Sequence, residues 1–273
     1  MKVIFSRKGF DSEYGGSPSP ILANQEIISL PIPGDETLTF GDVSIRNGSS
    51  VAELLTKLKV KQHNSRSSCH LDPDLYSWSL PRKRSWRPCF GQSGAAQSHL
   101  QNQGVGPGDI FLFFGFFQQT RNSHESIQFI PGKFKHKHVL YGWLQVDKVL
   151  NIGPTTSVPQ WLAYHPHCAP RHRNNINNCI YIARKKLSFD QGYPGSGSFR
   201  CTKQTMLTKP GKTRSCWNLD PKIFGHLDIS YHSAKSWKED HFRSASKGQE
   251  FVLTADRSVE KWVHRLIKSS SVC

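Results

Sequence analysis

The apolar positions of the chain gather into a few dense runs, and the densest is Ile110-Phe111-Leu112-Phe113-Phe114-Gly115-Phe116-Phe117. It follows the turn Pro107-Gly108-Asp109 and stops at Gln118-Gln119. A bilayer takes about 20 apolar residues, so this shorter run predicts a strand buried on both faces. Residues 138–146, aromatic and β-branched with a single glycine, predict a second strand, and the pair predicts the middle of one sheet. Shorter patterns predict an opening strand over 2–6, a hairpin from 20–22 and 27–30 that ends at Pro31 and Pro33, and a closing strand over 249–253. Ser50 and Glu53 form a capping box ahead of Val51, Leu54, Leu55 and Leu58 at helical spacing, which predicts a helix over 51–59. Ser93 and Gly104 bound a second short helix. Val259, Trp262, Val263, Leu266 and Ile267 stripe a third, capped by Asp256. The fold class expected is α+β, one domain over 1–273 on a mixed, largely antiparallel sheet with short helices.

Composition adds a partner class. With 36% apolar residues in 273, the chain can bury a sizeable core. Its 36 Lys and Arg against 20 Asp and Glu give a net charge of +16, which favours nucleic acid or nucleotide phosphates as partners. The alternative is a basic solvated surface with no polyanionic partner. Cys69, Cys89, Cys168, Cys179, Cys201, Cys216 and Cys273 are scattered without a C-x-x-C pair, which argues against a disulfide framework or a zinc ribbon. The N-terminus carries too short an apolar segment for a signal peptide and no window suits a membrane helix, so the expectation is a soluble, cytoplasmic protein. No cofactor and no oligomeric state are assigned.

Candidate chemistry lies at several places. Arg7-Lys8-Gly9-Phe10-Asp11-Ser12 stands at a strand exit, where Arg7 as a fork and Lys8 as a point charge would take a phosphate, and Asp11 and Ser12 a ribose or a water. The alternative is a capped turn whose charges face water. His70-Leu71-Asp72-Pro73-Asp74 supplies an imidazole and two carboxylates. His-x-Asp with a distant His is the ligand set of non-haem iron oxygenases, but the spacing names no third ligand, and no metal is assigned. Arg82, Lys83, Arg84 and Arg87 surround Trp86, a combination suited to phosphate contact with base stacking, or else a solvated loop with one anchoring ring. Gln92 and Ser93 at a helix start could contact an anion. His165 and His167 flank Pro166; a zinc deaminase would need His-x-Glu and Cys-x-x-Cys motifs that the sequence lacks, so the two read as neutral imidazoles that bond a base edge or shuttle a proton. His232 is a third imidazole. Glu250, beside Gln249, is a base if buried, or else a capping residue at a strand start. The glycine-rich stretch 192–199 reads as a turn, since no Lys-Ser or Lys-Thr follows it.

Two family likenesses use these residues. The Gly108-Asp109 turn into an apolar strand, followed by Gly142-Trp143-Leu144-Gln145-Val146, is similar to PUA-like barrels of the EVE and ASCH kind, and implies a barrel core that binds RNA or modified bases. The second likeness runs nearly end to end. Arg7 to Ser12, Gly15-Gly16, Pro18-Ser19-Pro20, Ser29-Leu30-Pro31-Ile32-Pro33, His70-x-Asp72-Pro73-Asp74, Gly91-Gln92-Ser93 with Ala95-Ala96 and His99-Leu100, His165-Pro166-His167, Ile180-Tyr181-x-Ala183, Leu207-Thr208 with Pro210-Gly211, Trp217, and Gly248-Gln249-Glu250-Phe251-Val252 occur in one order. This set resembles the type-three nucleotide modification associated domain, a family expected to work beside enzymes that modify nucleotides or bases. The resemblance implies that Arg7, Lys8, Asp11, Ser12, His70, Asp72, His99, Gln249 and Glu250 belong to its site. It departs at Phe116 and Gln118, where a Trp and a basic residue would be expected.

The reading that results is a nucleotide- or nucleic-acid-directed component of a base-modification system. As an enzyme it would join Arg7, Lys8, Asp11, His70, Asp72, His165, His167 and Glu250 in one pocket, with cations on phosphate and an imidazole as acid or base. As a non-catalytic reader it would hold a modified or flipped base in an aromatic-walled pocket ringed by residues 82–87. A basic interaction protein would scatter these groups.

Overall fold

The computed structural model describes residues 1–124, 126–246 and 248–272. The two strong apolar runs do form the centre of one sheet. Nine strands belong to it: β1 (Lys2–Arg7), β2 (Ser19–Ile21), β3 (Cys89–Gln92), β4 (Ile110–Ser123), β5 (Ser126–Phe129), β6 (His136–Asn151), β7 (Cys179–Ala183), β8 (Ser196–Ser198) and β9 (Glu250–Thr254). The order is β9-β1-β4-β6-β7-β3, with β8 added to β6, and β2 and β5 to β4. β1 runs parallel to β4, while β9 with β1, β6 with β4, β7 with β6 and β3 with β7 are antiparallel.

β4 is covered on both faces, as its unbroken apolar pattern predicts. Ile110, Leu112 and Phe114 pack with Val3, Phe5 and Trp217 on one side, and Phe111, Phe113 and Phe117 pack with Phe90, Tyr141 and Tyr181 on the other. Successive strand side chains point to opposite faces, so one strand serves both clusters. Three helices close the layers. α1 (Val51–Lys57) is capped by Ser50, which accepts from the Glu53 N–H at 3.1 Å, and buries Val51, Leu54 and Leu55 against Phe10 and Phe40. α2 (Gly94–Asn102) follows β3 directly. α3 (Arg257–Ser270) is capped by Asp256, which accepts from the Ser258 and Val259 N–H groups. Its buried stripe is Val259, Val263, Leu266 and Ile267, with Trp262 half-buried beside it.

Several expectations need correction. Among the described residues the sheet is open, and closure into a PUA-like barrel is not seen: its edge strands β9 and β3 share no ladder. Instead they meet through side chains, Gln92 Nε2 donating to Glu250 Oε1 at 2.7 Å, and α2 packs on β9. The hairpin over 20–30 turns back, with Leu22 N–H on the Glu26 carbonyl, but its first arm is drawn into a parallel ladder with β4. The 192–199 stretch is only partly turn, since β8 forms within it against β6. Of the cysteines, Cys273 lies outside the described residues and the other six are free. Among the described residues no helix is long and apolar enough to cross a membrane.

Candidate functional site

The site is built around one carboxylate. Asp72 follows the two-residue strand Cys69–His70 and its side chain is only 4% exposed. The Gly91 N–H donates to Asp72 Oδ1 at 2.9 Å, which ties this loop to β3. Three imidazoles face the same carboxylate: His70 Nε2 at 3.8 Å and His167 Nε2 at 3.5 Å from Oδ2, and His165 Nε2 at 3.6 Å from Oδ1. His165 and His167 reach it from a 3-10 turn, Pro166–Cys168, with His165 as N-cap, and not from a strand. Pro166 has no N–H to give a ladder and suits the first position of a helical turn.

Gly91 makes this convergence possible. A Cβ there would stand 2.3 Å from His167 Cδ2 and 2.9 Å from His165 Cε1. Outer groups set the rings: His70 Nδ1 lies 2.8 Å from Glu36 Oε1, and His167 Nδ1 lies 2.6 Å from Asn178 Oδ1. Burial would raise the Asp72 pKa, but the three imidazoles hold it well below the usual carboxylate value. Burial draws His70 down, yet Asp72 and Glu36 outweigh it and hold the ring up at about 9. His165 is buried deeply enough that its pKa falls in spite of Asp72.

His70, Asp72 and His167 form the floor of a cleft of about 570 Å³, lined also by Arg7, Lys8, Asp11, Gln92 and Gln249. Lys8 reaches it because Gly115 on β4 lets the chain approach; a Cβ there would be 2.7 Å from the Lys8 carbonyl oxygen. Lys8 Nζ donates to Glu250 Oε1 at 2.7 Å and Gln92 Nε2 donates to the same oxygen at 2.7 Å. Glu250 is buried and, among the described residues, its second oxygen takes no partner. Arg7 donates to the carbonyls of Ala245 and Ser246, and its burial and the nearby Arg214 lower its pKa. Asp11 accepts from the Glu13 and Tyr14 N–H groups, which is the capped-turn arrangement, and Ser12 lines an adjoining lobe with His138 and Arg214.

The remaining candidates stand elsewhere. Arg82 is committed to a buried, two-pronged ion pair with Asp74, at 2.7 and 2.6 Å, and its guanidinium lies 4.0 Å from the Trp86 ring centre. Lys83 and Arg84 are exposed, and Arg87 donates to Asp147. This tract does not line the Asp72 cleft. Ser93 occupies the α2 N-cap without a side-chain cap bond, and His99 meets Ser230 Oγ at 3.0 Å. His232 is used on both nitrogens, with Ser230 O and the Ala245 N–H. Glu36 is a site-building residue that the sequence did not single out, and Asn178 one that it marked only as part of the family-like Asn177-Asn178 stretch after His167. Asn178 at least stood beside the Ile180-Tyr181 motif; Glu36, in the 34–36 loop, carried no signal.

Among the described residues two groups could hold a metal ion by geometry: His70, Asp72 and His167, and Glu36, His70 and His172. No curated protein and no solved structure matches the chain. The ordered motifs that build the cleft span most of the sequence, and residues 2–254 match one family throughout: the chain belongs to the nucleotide modification associated domain 3 family.

Proposed function

We propose that the chain is an enzyme of a nucleotide-modification system, acting on a nucleotide or a nucleic-acid base held in the Asp72 cleft. The observation that carries this reading is the convergence of His70, His165 and His167 on one buried carboxylate at the floor of an open cleft. A buried ionic cluster is a poor way to gain stability, and strongly perturbed titratable groups gather at functional sites. His167, His70 and Asp72 present their polar atoms at the cavity, where they are placed to act on a bound substrate or on a water beside it. Arg7 and Lys8 stand at the same cavity for a phosphate, Lys8 sharing its charge with Glu250. Membership of the family supports the nucleotide side of the reading, and the net charge of +16 suits a polyanion.

A reader function has one observation of its own. A groove of about 680 Å³ is lined by Arg46, Tyr76, Trp78, Trp86, Arg87 and Arg184, among others. Trp78 stacks on Tyr76 at 4.9 Å and 8°, with the Arg46 guanidinium 4.5 Å from its ring centre. Bases stack on such rings without sequence preference. The test is to incubate the protein with nucleotides, DNA and RNA, digest to nucleosides and weigh the products. A new nucleoside mass that His167→Gln abolishes and Trp78→Ala leaves supports the enzyme. Polymer binding lost in Trp78→Ala, with no altered nucleoside under any condition, supports the reader and overturns the enzyme.

A further inference from the structure

We propose that His70, Asp72 and His167 bind a divalent transition-metal ion on the floor of the cleft. The hydrogen-bond partners fix what each ring offers. A carboxylate oxygen only accepts, so His70 Nδ1, 2.8 Å from Glu36 Oε1, carries its proton, and Nε2 presents a lone pair in the neutral ring. Asn178 spends its amide hydrogens on the carbonyls of His167 and His172, at 2.9 and 3.0 Å. Its Oδ1 therefore accepts from His167 Nδ1, and His167 Nε2 is also a lone pair. Both lone pairs face Asp72 Oδ2. In the neutral, metal-binding form of both rings these three atoms are all acceptors, so an ion must displace the proton that Asp72 and Glu36 favour on His70.

The spacing fits an ion better than a proton. Hydrogen bonds to oxygen run about 2.7–3.2 Å, whereas these Nε2 atoms lie 3.8 and 3.5 Å from Asp72 Oδ2. Two tetrahedral ligands at about 2.0–2.2 Å from one ion lie roughly 3.4 Å apart. The competing group around Glu36 has the opposite character: Oε1 accepts from His70 at 2.8 Å and Arg171 at 2.6 Å, and the third member, His172 Nε2, accepts from Arg171 Nε at 3.1 Å. Those are hydrogen-bond lengths with donors in place, so that group is satisfied by protons. It serves as the outer partner of His70, as Asn178 does for His167, the arrangement that orients imidazole ligands in metal centres.

His165 completes the setting without ligating. Its Nδ1 accepts from the His167 N–H at 3.3 Å, which leaves the proton on Nε2, fully buried, without a hydrogen-bond partner and facing Asp72 Oδ1. The Gly91 N–H, donating to Oδ1 at 2.9 Å, holds the carboxylate with Oδ2 left to face the other two rings. Two imidazoles and one carboxylate suit Fe(II), Co(II), Ni(II), Zn(II) or Mn(II), and not the all-oxygen preference of Ca²⁺ and Mg²⁺. Three protein ligands leave coordination positions for water or a substrate atom, on the side where His70 and His167 line the cleft. This assignment rests on ligand geometry alone, so a chain that binds the ion and no nucleotide refutes the nucleotide reading and leaves the metal standing.

The test uses untagged full-length protein stripped with a chelator and titrated with Co(II), read by visible absorption and calorimetry. One equivalent is expected. His70→Gln and His167→Gln, each checked for folding by circular dichroism, should weaken binding by more than the roughly 10–100-fold that loss of an outer partner costs; His172→Gln should retain an equivalent. X-ray absorption on the wild-type Co(II) form, which needs no variant, should give two imidazole nitrogens and no sulfur. Absence of saturable Co(II) binding, binding intact in both glutamine variants, or a sulfur or all-oxygen shell overturns the proposal.

Discussion

Gly91→Ala isolates the packing on which the site depends. The added Cβ would stand 2.3 Å from His167 Cδ2, 2.5 Å from Cγ and 2.9 Å from His165 Cε1, so something must move. The strand is not free to retreat. Gly91 is held in the β3–β7 ladder opposite Ile180, and its N–H is bonded to Asp72. The rings must therefore yield, and His167 cannot rotate away while keeping its 2.6 Å bond to Asn178. Forcing a methyl into a packed interior costs about 1–3 kcal/mol, and leaving a buried polar group unpaired adds about 1–3 kcal/mol. A loss of about 2–6 kcal/mol in urea unfolding is expected, with the midpoint moving and the slope unchanged. Co(II) affinity should fall with it, because His167 Nε2 leaves its place opposite Asp72. The same substitution in a His167→Ala background should cost much less, since the displaced ring is gone; that coupling is what a double-mutant cycle reads. A change within about 0.5 kcal/mol, the range of ordinary surface substitutions, or an equal penalty in both backgrounds would refute the reasoning.

Arg82→Ala should destabilise by about 3–5 kcal/mol, the usual cost of stripping one partner from a buried pair, because Asp74 is 0% exposed and receives both guanidinium nitrogens. Lys83→Ala and Arg84→Ala, on exposed side chains, should leave stability within about 0.5 kcal/mol; if all three behave alike in urea unfolding, Arg82 is not structural. Lys8→Ala should also cost about 3–5 kcal/mol, since among the described residues it leaves the buried Glu250 carboxylate with Gln92 alone as a side-chain donor, whereas Lys8→Ala with Glu250→Gln should recover much of that loss in the same assay. Recovery of none would mean that Lys8 acts through other contacts.

The fold was legible where apolar periodicity is strong, and the site only where its residues sit close in sequence. The run from Ile110 to Phe117 could be nothing but a doubly covered strand, and the stripe from Val259 to Ile267 nothing but a helix face. His70-x-Asp72 and His165-x-His167 were visible as pairs because few residues of that chemistry fall so near one another. Their meeting was not visible, because a 3-10 turn and a short loop carry them and neither has a period to read. Glu36 is one carboxylate in a loop, and only its bond to His70 gives it a role. Barrel closure failed for a related reason. The pattern announces β9 as a strand and is silent on β3, and whether two edges pair depends on what is packed against them, here α2 and the Gln92–Glu250 bond. The basic tract misleads in the opposite sense: Arg82 looks like a free cation until Asp74 folds under it.

A metal held by residues from separate segments must also change how the chain melts. His70 ends the short strand Cys69–His70, Asp72 lies in the loop after it, and His167 comes from the turn at Pro166–Cys168, so the unfolded chain offers no assembled site. An ion that binds only the folded state stabilises it by mass action, about 2.7 kcal/mol when its free concentration is 100 times Kd. For chains of 150–250 residues each kcal/mol moves the melting midpoint by about 2–4 °C, and this chain is slightly longer. A rise of about 5–10 °C is therefore expected on adding Co(II) to stripped protein, graded with concentration. His167→Gln should abolish the rise and His172→Gln should preserve it, because only the first removes an atom from the set facing Asp72 Oδ2. A rise that survives in His167→Gln would place the ion elsewhere. No rise in the wild type, at a concentration where calorimetry finds one equivalent bound, would mean that the ion also binds the unfolded chain, and that the three ligands are not brought together by the fold.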